Sequence, residues 1–363
     1  MNPEFRRQLW LQFSTTRLVL LPLLLAAIFA AVYTSVPTAP AAPLAAVGAL
    51  LFAALVLGMG TFAAGASVMD EIADRTWDQQ RMSAMQPWAM VWGKLAGASA
   101  YGWYGGALCL LVAVPSALVQ DALSYVARVT AMAMLAGVFL QALLIAINLQ
   151  LLKTGSRVSR RGGMGVLLLV LLWSSGTLMT ALRGGQITWW DHSFTRLDFA
   201  LLSVALFAAC ALAAAWRSMA EMLAVRQMPW GWPGLALAAT VYVGGFASTQ
   251  RLPVLGVVGL SVCAVLTYFS LLTEPHTRPH WQRVANRWHM GQWRALLLQL
   301  PRWPTTLLLA APFAVLTGVA AGAGVEIRLL EAAGVRVDCQ AVPSNELVCR
   351  DSRAWAWLAA TLA

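Results

Sequence analysis

Apolar residues run through this chain in long blocks, not in the alternation of half-buried strands or the one-sided stripes of surface helices. Nine blocks lie near 18–36, 44–69, 95–118, 127–152, 164–182, 199–216, 232–250, 252–273 and 305–325. At about 1.5 Å of rise per residue each is roughly long enough to cross a hydrocarbon core about 30 Å thick. The pattern predicts an all-α polytopic membrane protein with about nine transmembrane helices. The first block follows Arg6, Arg7 and Arg17 without a small-residue cleavage pattern, so it reads as a retained span.

Composition agrees: of 363 residues 60% are hydrophobic and 11% charged, with 17 Trp. Mean hydropathy is +0.68. A net charge of +10 in a soluble protein would point to nucleic acid; here the cations sit in the loops, and no nucleic-acid partner is expected. Seventeen of the 25 Lys and Arg fall on the side of the N-terminus, which predicts a cytoplasmic N-terminus.

Four regions follow. Residues 1–17 mix Arg6, Arg7 and Arg17 with Leu9, Trp10, Leu11 and Phe13, as in a short helix lying on the membrane surface. Residues 18–216 hold six spans with a long inner loop at 68–94, and a second, strongly basic inner loop, "KTGSRVSRRGG". Residues 217–325 add three spans, with a second interfacial helix near 279–300, where Arg283, Arg287 and Arg294 share one helical face and meet the lipid surface. Residues 326–363 form an outer-side tail. Trp189 and Trp190 are expected at headgroup depth on the outer side.

The interiors of the spans carry no Asp, Glu, Lys, Arg or His, which argues against a proton- or ion-coupled carrier. Gln141, Asn148, Ser174 and Ser175 read as helix-to-helix hydrogen bonds. Gly93 with Gly97, and Gly318 with Gly322, read as close helix packing. Gly93-Lys94 is no phosphate loop, because Trp88 stands where that motif needs Gly. His276 and His280 are separated by Pro279 and preceded by Pro275, so no metal site is expected. Cys339 and Cys349 have a spacing compatible with a disulfide and equally with two free thiols.

One segment stands apart. In "SVMDEIADRTWDQQRMSAMQPWAMVWGKLAG" four acids, Asp70, Glu71, Asp74 and Asp78, fall within residues 70–78. Asp70, Asp74 and Asp78 recur at four-residue steps, Glu71 and Arg75 make an (i, i+4) pair, Pro87 ends the helix, and Lys94 marks return to the membrane. "DEIADR" approximates the EExxxR element of CAAX-type intramembrane proteases, but its first acid is Asp70 and no span supplies a His. A solvated loop, or a site that recruits some other soluble assembly partner, are further readings.

The segment also resembles the loop after the second span of type-2 ABC exporter permeases. Glu71, Thr76 and Asp78 match that family's E-x-x-x-x-T-x-[ED] element; Ser83 and Pro87 loosely match its Leu-Ser-x-Pro-like stretch; Gly93 and Lys94 match its Gly-Lys pair. Residues 2–17 correspond to its N-terminal surface helix. The resemblance covers about residues 1–216 and implies a permease subunit without catalytic residues, whose 68–94 loop carries a coupling helix. By this resemblance Asp70, Glu71, Asp74, Arg75, Thr76, Trp77, Asp78 and Arg81 are expected to dock a cassette ATPase. Two ATPase copies, holding ATP and Mg, would join this chain and a second permease subunit in a homodimer or heterodimer; no cofactor is expected on this chain. Arg75 stands where many members have Gly, and the three C-terminal spans lie outside the family pattern.

Overall fold

The structure, a computed structural model, describes residues 2–74, 76–77, 82, 85–153, 184–225, 231–247, 251–273, 278–292, 302–322, 339–341 and 347–349. The chain is predominantly helical. Among the described residues five helical stretches are long and apolar enough to cross a membrane: Thr15–Ser35, Ala41–Ala73, Ala100–Leu118, Leu123–Leu152 and Arg196–Met222. Val254–Tyr268 and Trp303–Gly318 are shorter apolar stretches, and the expected span at 164–182 lies outside the described residues.

Two compact units divide the chain. The first, Met1–Ile187 with Ser193–Gln227, opens with α1 (Pro3–Gln12) and α2 (Thr15–Ser35). The next span is α3 (Ala41–Phe52), a π-helical segment (Ala53–Gly60) and α4 (Thr61–Ala73) in one continuous run. After the loop come α5 (Pro87–Ala98), α6 (Ala100–Leu118), α7 (Leu123–Lys153) and α8 (Arg196–Met222). Pro87 therefore starts a helix, at the position where a missing N–H costs nothing. The return helix is broken at Ser99, so the span expected from residue 95 begins as a new helix at Ala100.

The first unit buries two apolar cores. Leu21, Leu25, Phe29, Phe52, Val56 and Cys109 join α2, the second span and α6. Val68, Met90, Val91, Ile145, Leu149 and Met219 join α4, α5, α7 and α8. The π-helical segment leaves backbone carbonyls needing partners, which the lipid interior cannot supply. Fully buried Gln141 supplies one: its Nε2 donates to Val56 O (3.3 Å), while its Oε1 accepts from Trp103 Nε1 (3.1 Å). Asn148 Nδ2 donates to Gly65 O (2.9 Å) about two turns further along. Both residues thus bridge helices as expected; Ser174 and Ser175 lie outside the described residues. At the far end of α7, Arg128 pairs with Asp198 of α8 at 2.9 Å.

The second unit, Thr188–His192 with Met228–Ala363, contains α9 (Gly231–Gly244), α10 (Arg251–Thr273), α11 (Arg278–His289) and α12 (Arg302–Gly322). Its core forms around Ala236, Cys263 and Phe313. The close approach of α10 to α12 uses Gly259, where an added Cβ would lie 2.4 Å from the Phe313 ring. Gly318 faces open space, and the surroundings of Gly322 lie outside the described residues; on the opposing helix Gly256 and Gly259 admit Thr317 and Phe313.

Short strands complete the chain. β1 (Gln186–Trp189) and β2 (His192–Thr195) form a hairpin turning through Trp190 and Asp191, both at positive φ. Trp189 Nε1 donates to Tyr242 O (3.0 Å) and Trp190 N to Gly245 O (2.9 Å). β3 (Cys339–Ala341) and β4 (Leu347–Cys349) pair antiparallel with Cys339 opposite Cys349.

Candidate functional site: a buried ionic cluster at the base of the 68–94 loop

Four charged residues from three elements meet in the first unit. α1 supplies Glu4 and Arg7, α4 supplies Glu71 within its last turn, and α5 supplies Lys94. Lys94 is fully buried; Glu4 and Glu71 are 2% and 5% exposed, whereas Arg7 is 40% exposed. Lys94 pairs with Glu71 and, at 3.3 Å, with Glu4. Arg7 pairs with Glu71 and with Glu4 at 3.2 Å. Gln8 donates to Glu4 Oε1 (3.0 Å) and to Glu71 Oε1 (3.4 Å). Two carboxylates thus face two cations, and the cluster is neutral as a whole. That balance matters because an unpaired charge in such a place costs several kcal/mol, about 3–5 when one partner of a buried pair is removed.

Local sequence sets up each arm. Asn2 caps α1 by accepting from Glu4 N (3.0 Å), Pro3 occupies the first turn, and Glu4, Arg7 and Gln8 follow at helical spacing on one side. Asn2 Nδ2 also reaches Ala89 O on α5. On α5, Gly93 and Gly97 leave a bare strip. A Cβ at Gly93 would lie 2.7 Å from Glu4 Cβ, and one at Gly97 would lie 2.6 Å from Gln8 Cβ. The expected close packing at this pair is present, and α1 is what it admits. Phe13 then stacks edge-on against Tyr101 and Tyr104 of α6.

The electrostatics follow from this geometry. Burial works to raise the Glu4 carboxyl, but the charge of Lys94 and hydrogen bonds from Arg7 and Gln8 outweigh it and hold the group below its ordinary 4.5. For the Arg7 guanidinium burial works downward, and the hydrogen bond and charge of Glu4, with Glu71 behind them, carry its pKa above the ordinary value.

The structure redistributes the expected docking residues. Glu71 is buried, and its described partners are Lys94, Arg7 and Gln8, in place of an exposed position beside Arg75. Trp77 is 7% exposed, packs in the apolar core, and lies 6.0 Å from Lys94 Nζ in cation–π contact. Helix α4 ends at Ala73, so the acidic face does not continue in helix to Asp78. Thr76 N folds back to Glu71 O (2.9 Å) and its hydroxyl does the same (3.2 Å). Asp70 is half-buried and Asp74 exposed; Arg75, Asp78 and Arg81 lie outside the described residues. Lys94, expected to mark membrane re-entry, sits mid-helix in α5 at the centre of the cluster. Trp88 and Trp92, 45% and 48% exposed, stack on one another and suit a headgroup position.

Sequence reasoning missed Glu4, Arg7 and Gln8. A signal was present: Lys94 is the one Lys or Arg between Arg81 and Arg128, and such a cation flanked by Gly93 and Gly97 needs an anionic element packed against it. For Cys339 and Cys349, directly opposed antiparallel residues stand about 4.5–5.5 Å apart at Cα, within the range a disulfide bridges. Comparison with protein families, curated proteins and solved structures gives no match to this chain.

Proposed function

We propose that this chain is the membrane-spanning permease subunit of an ATP-binding cassette exporter, set in a bacterial inner membrane with its N-terminus in the cytoplasm. It would act with a second permease subunit and two separate ATPase subunits, and do no bond chemistry itself. The reading rests on the resemblance of residues 71–94 to the coupling loop of type-2 permeases. The observation that carries it further is the ionic cluster. Glu71 stands where one span enters the loop and Lys94 where the chain returns, and the pair, with α1, clamps the two arms at their base. A loop clamped in this way passes a push on its tip to both attached helices, which is what coupling to an ATPase requires.

Purification of the intact chain from its native membrane tests this. Recovery of a cassette ATPase lacking spans of its own is expected, with yield reduced several-fold by Asp74→Lys at the exposed end of α4. A purified complex without such an ATPase, or one holding a different soluble protein, overturns the proposal.

A further inference from the structure

Helices α1, α4 and α5 of the first unit make one body, tied by Glu4, Arg7, Glu71 and Lys94 and by the seating of α1 on Gly93 and Gly97. Three chain connections lead from it into the spans, and each departs from the α-helix. Between α1 and α2 the backbone at Phe13 and Ser14 is extended. Between α3 and α4 lies the π-helical segment Ala53–Gly60. Between α5 and α6 the helix breaks at Ser99. The three departures meet at one level. A Cβ on Gly60 would lie 3.7 Å from Ser99 Cβ, one on Gly102 would lie 3.0 Å from Gly60 Cα, and the Phe13 ring stands 6.2 Å from that of Tyr101.

We infer that this level is a hinge, about which α1, α4 and α5 turn as one body against α2, α3 and α6. The packing on either side supports it. The apolar core on α2, the second span and α6 reaches Val56, and the core on α4, α5, α7 and α8 takes over at Ala64 and Leu95. Between the two lie Gly60, Gly102 and the fully buried Thr61, Ser99 and Gln141. Thr61 Oγ1 donates back to Val56 O (3.5 Å) and Ser99 Oγ back to Leu95 O, while Gln141 Nε2 shares Val56 O. Interlocked apolar side chains resist bending; a layer of glycine backbone beside a π-helical segment bends far more easily. Helices α7 and α8 run unbroken past this level and form the wall on which the body turns. There α4 presents Ala64 to a face of α7 that includes Ala142 and Ala146, short side chains that permit sliding. Asn148, donating to Gly65 O (2.9 Å), ties the body to that wall on the loop side of the hinge. The hinge does not depend on which partner acts on the 68–94 loop.

Double electron–electron resonance on the full chain in lipid nanodiscs decides it, with spin labels carried on ketone-bearing non-natural residues so that the native cysteines stay in place. The label pairs are Leu11 with Ala73 inside the body, Val36 with Val119 outside it, and Ala73 with Val119 across the hinge; all four positions are exposed. A turn of about 15° moves the end of α4, roughly 20 Å from Gly60, by about 5 Å. Asn148→Leu, which cuts the tie to α7, is expected to shift or widen the across-hinge distances by that amount and to leave the other two pairs unchanged. Gly65→Ala, whose Cβ would meet Leu144 Cδ2 at 2.5 Å, should do the same without removing an amide. A change confined to the across-hinge pair in either variant supports the hinge. Equal widening of all three pairs, or across-hinge distances unchanged in both variants, overturns it.

Discussion

Helices α1 and α11 are both short, polar and Arg-bearing, and each adjoins an apolar helix in the chain, yet their described polar residues differ in burial. In α1 the polar side is buried, with Glu4 at 2% and Gln8 at 4% exposure, while Trp10 and Leu11 stand 78% and 65% exposed. In α11 the described polar residues Gln282, Asn286 and His289 remain exposed. Charge composition explains the difference. α1 carries both signs, and with Glu71 and Lys94 it closes a neutral set that can leave water. α11 carries one sign, with three Arg, two His and no acid from Arg278 to His289. In α1 the buried carboxylate of Glu4 is tolerated because Lys94 and Arg7 neutralise it.

The contrast can be broken from the α1 side. Lys94→Met leaves two buried carboxylates with one half-exposed Arg, at a cost of about 3–5 kcal/mol. Amides of residues 3–12 should then exchange roughly a hundredfold faster, while those of 278–289 keep their rate. Unchanged exchange in α1 would show that its seat does not depend on the cluster. Gly93→Leu tests the bare strip without touching a charge. It pushes against Glu4 Cβ and the backbone at Phe5, and should cost about 1–3 kcal/mol in thermal stability.

The smallest effect expected is that of acid. The folded-state pKa of Glu4 lies below its ordinary 4.5, so its contribution is fully present above about pH 4.5 and is lost as pH falls through the lower folded value. Exchange in residues 3–12, followed downward from pH 6, should stay flat to near 4.5 once corrected for intrinsic rates and rise below it. Glu4→Gln should remove that step; a step that survives the substitution assigns it to another group.

Much of the membrane character was legible residue by residue. The blocks that became α2, the Ala41–Ala73 run, α6, α7 and α8 declare themselves because hydropathy over about twenty residues is a local sum. Gln141 and Asn148 were readable as helix bridges, since an amide in lipid must find a partner. The π-helical segment was not readable: Ala53–Gly60 has the composition of an ordinary apolar helix, and Gln141, far along the chain, meets one of its carbonyls. The site divided in the same way. The acid-rich stretch at 70–78 was visible as a local excess of charge, but the separate fates of its members were not. Asp74 is exposed and Glu71 buried although they are three residues apart, and α4 stops between them.

The sequence by itself determined that long apolar helices dominate this protein and that its charges gather at their ends, because hydrophobic length and charge exclusion act on contiguous residues. Only the tertiary structure decided that Glu4, Arg7, Glu71 and Lys94 form one neutral cluster with the surface helix turned inside out over Gly93 and Gly97. The reason is physical: the energy of a buried charge depends on what lies within a few ångströms of it, and Lys94 meets carboxylates 23 and 90 residues away in the chain.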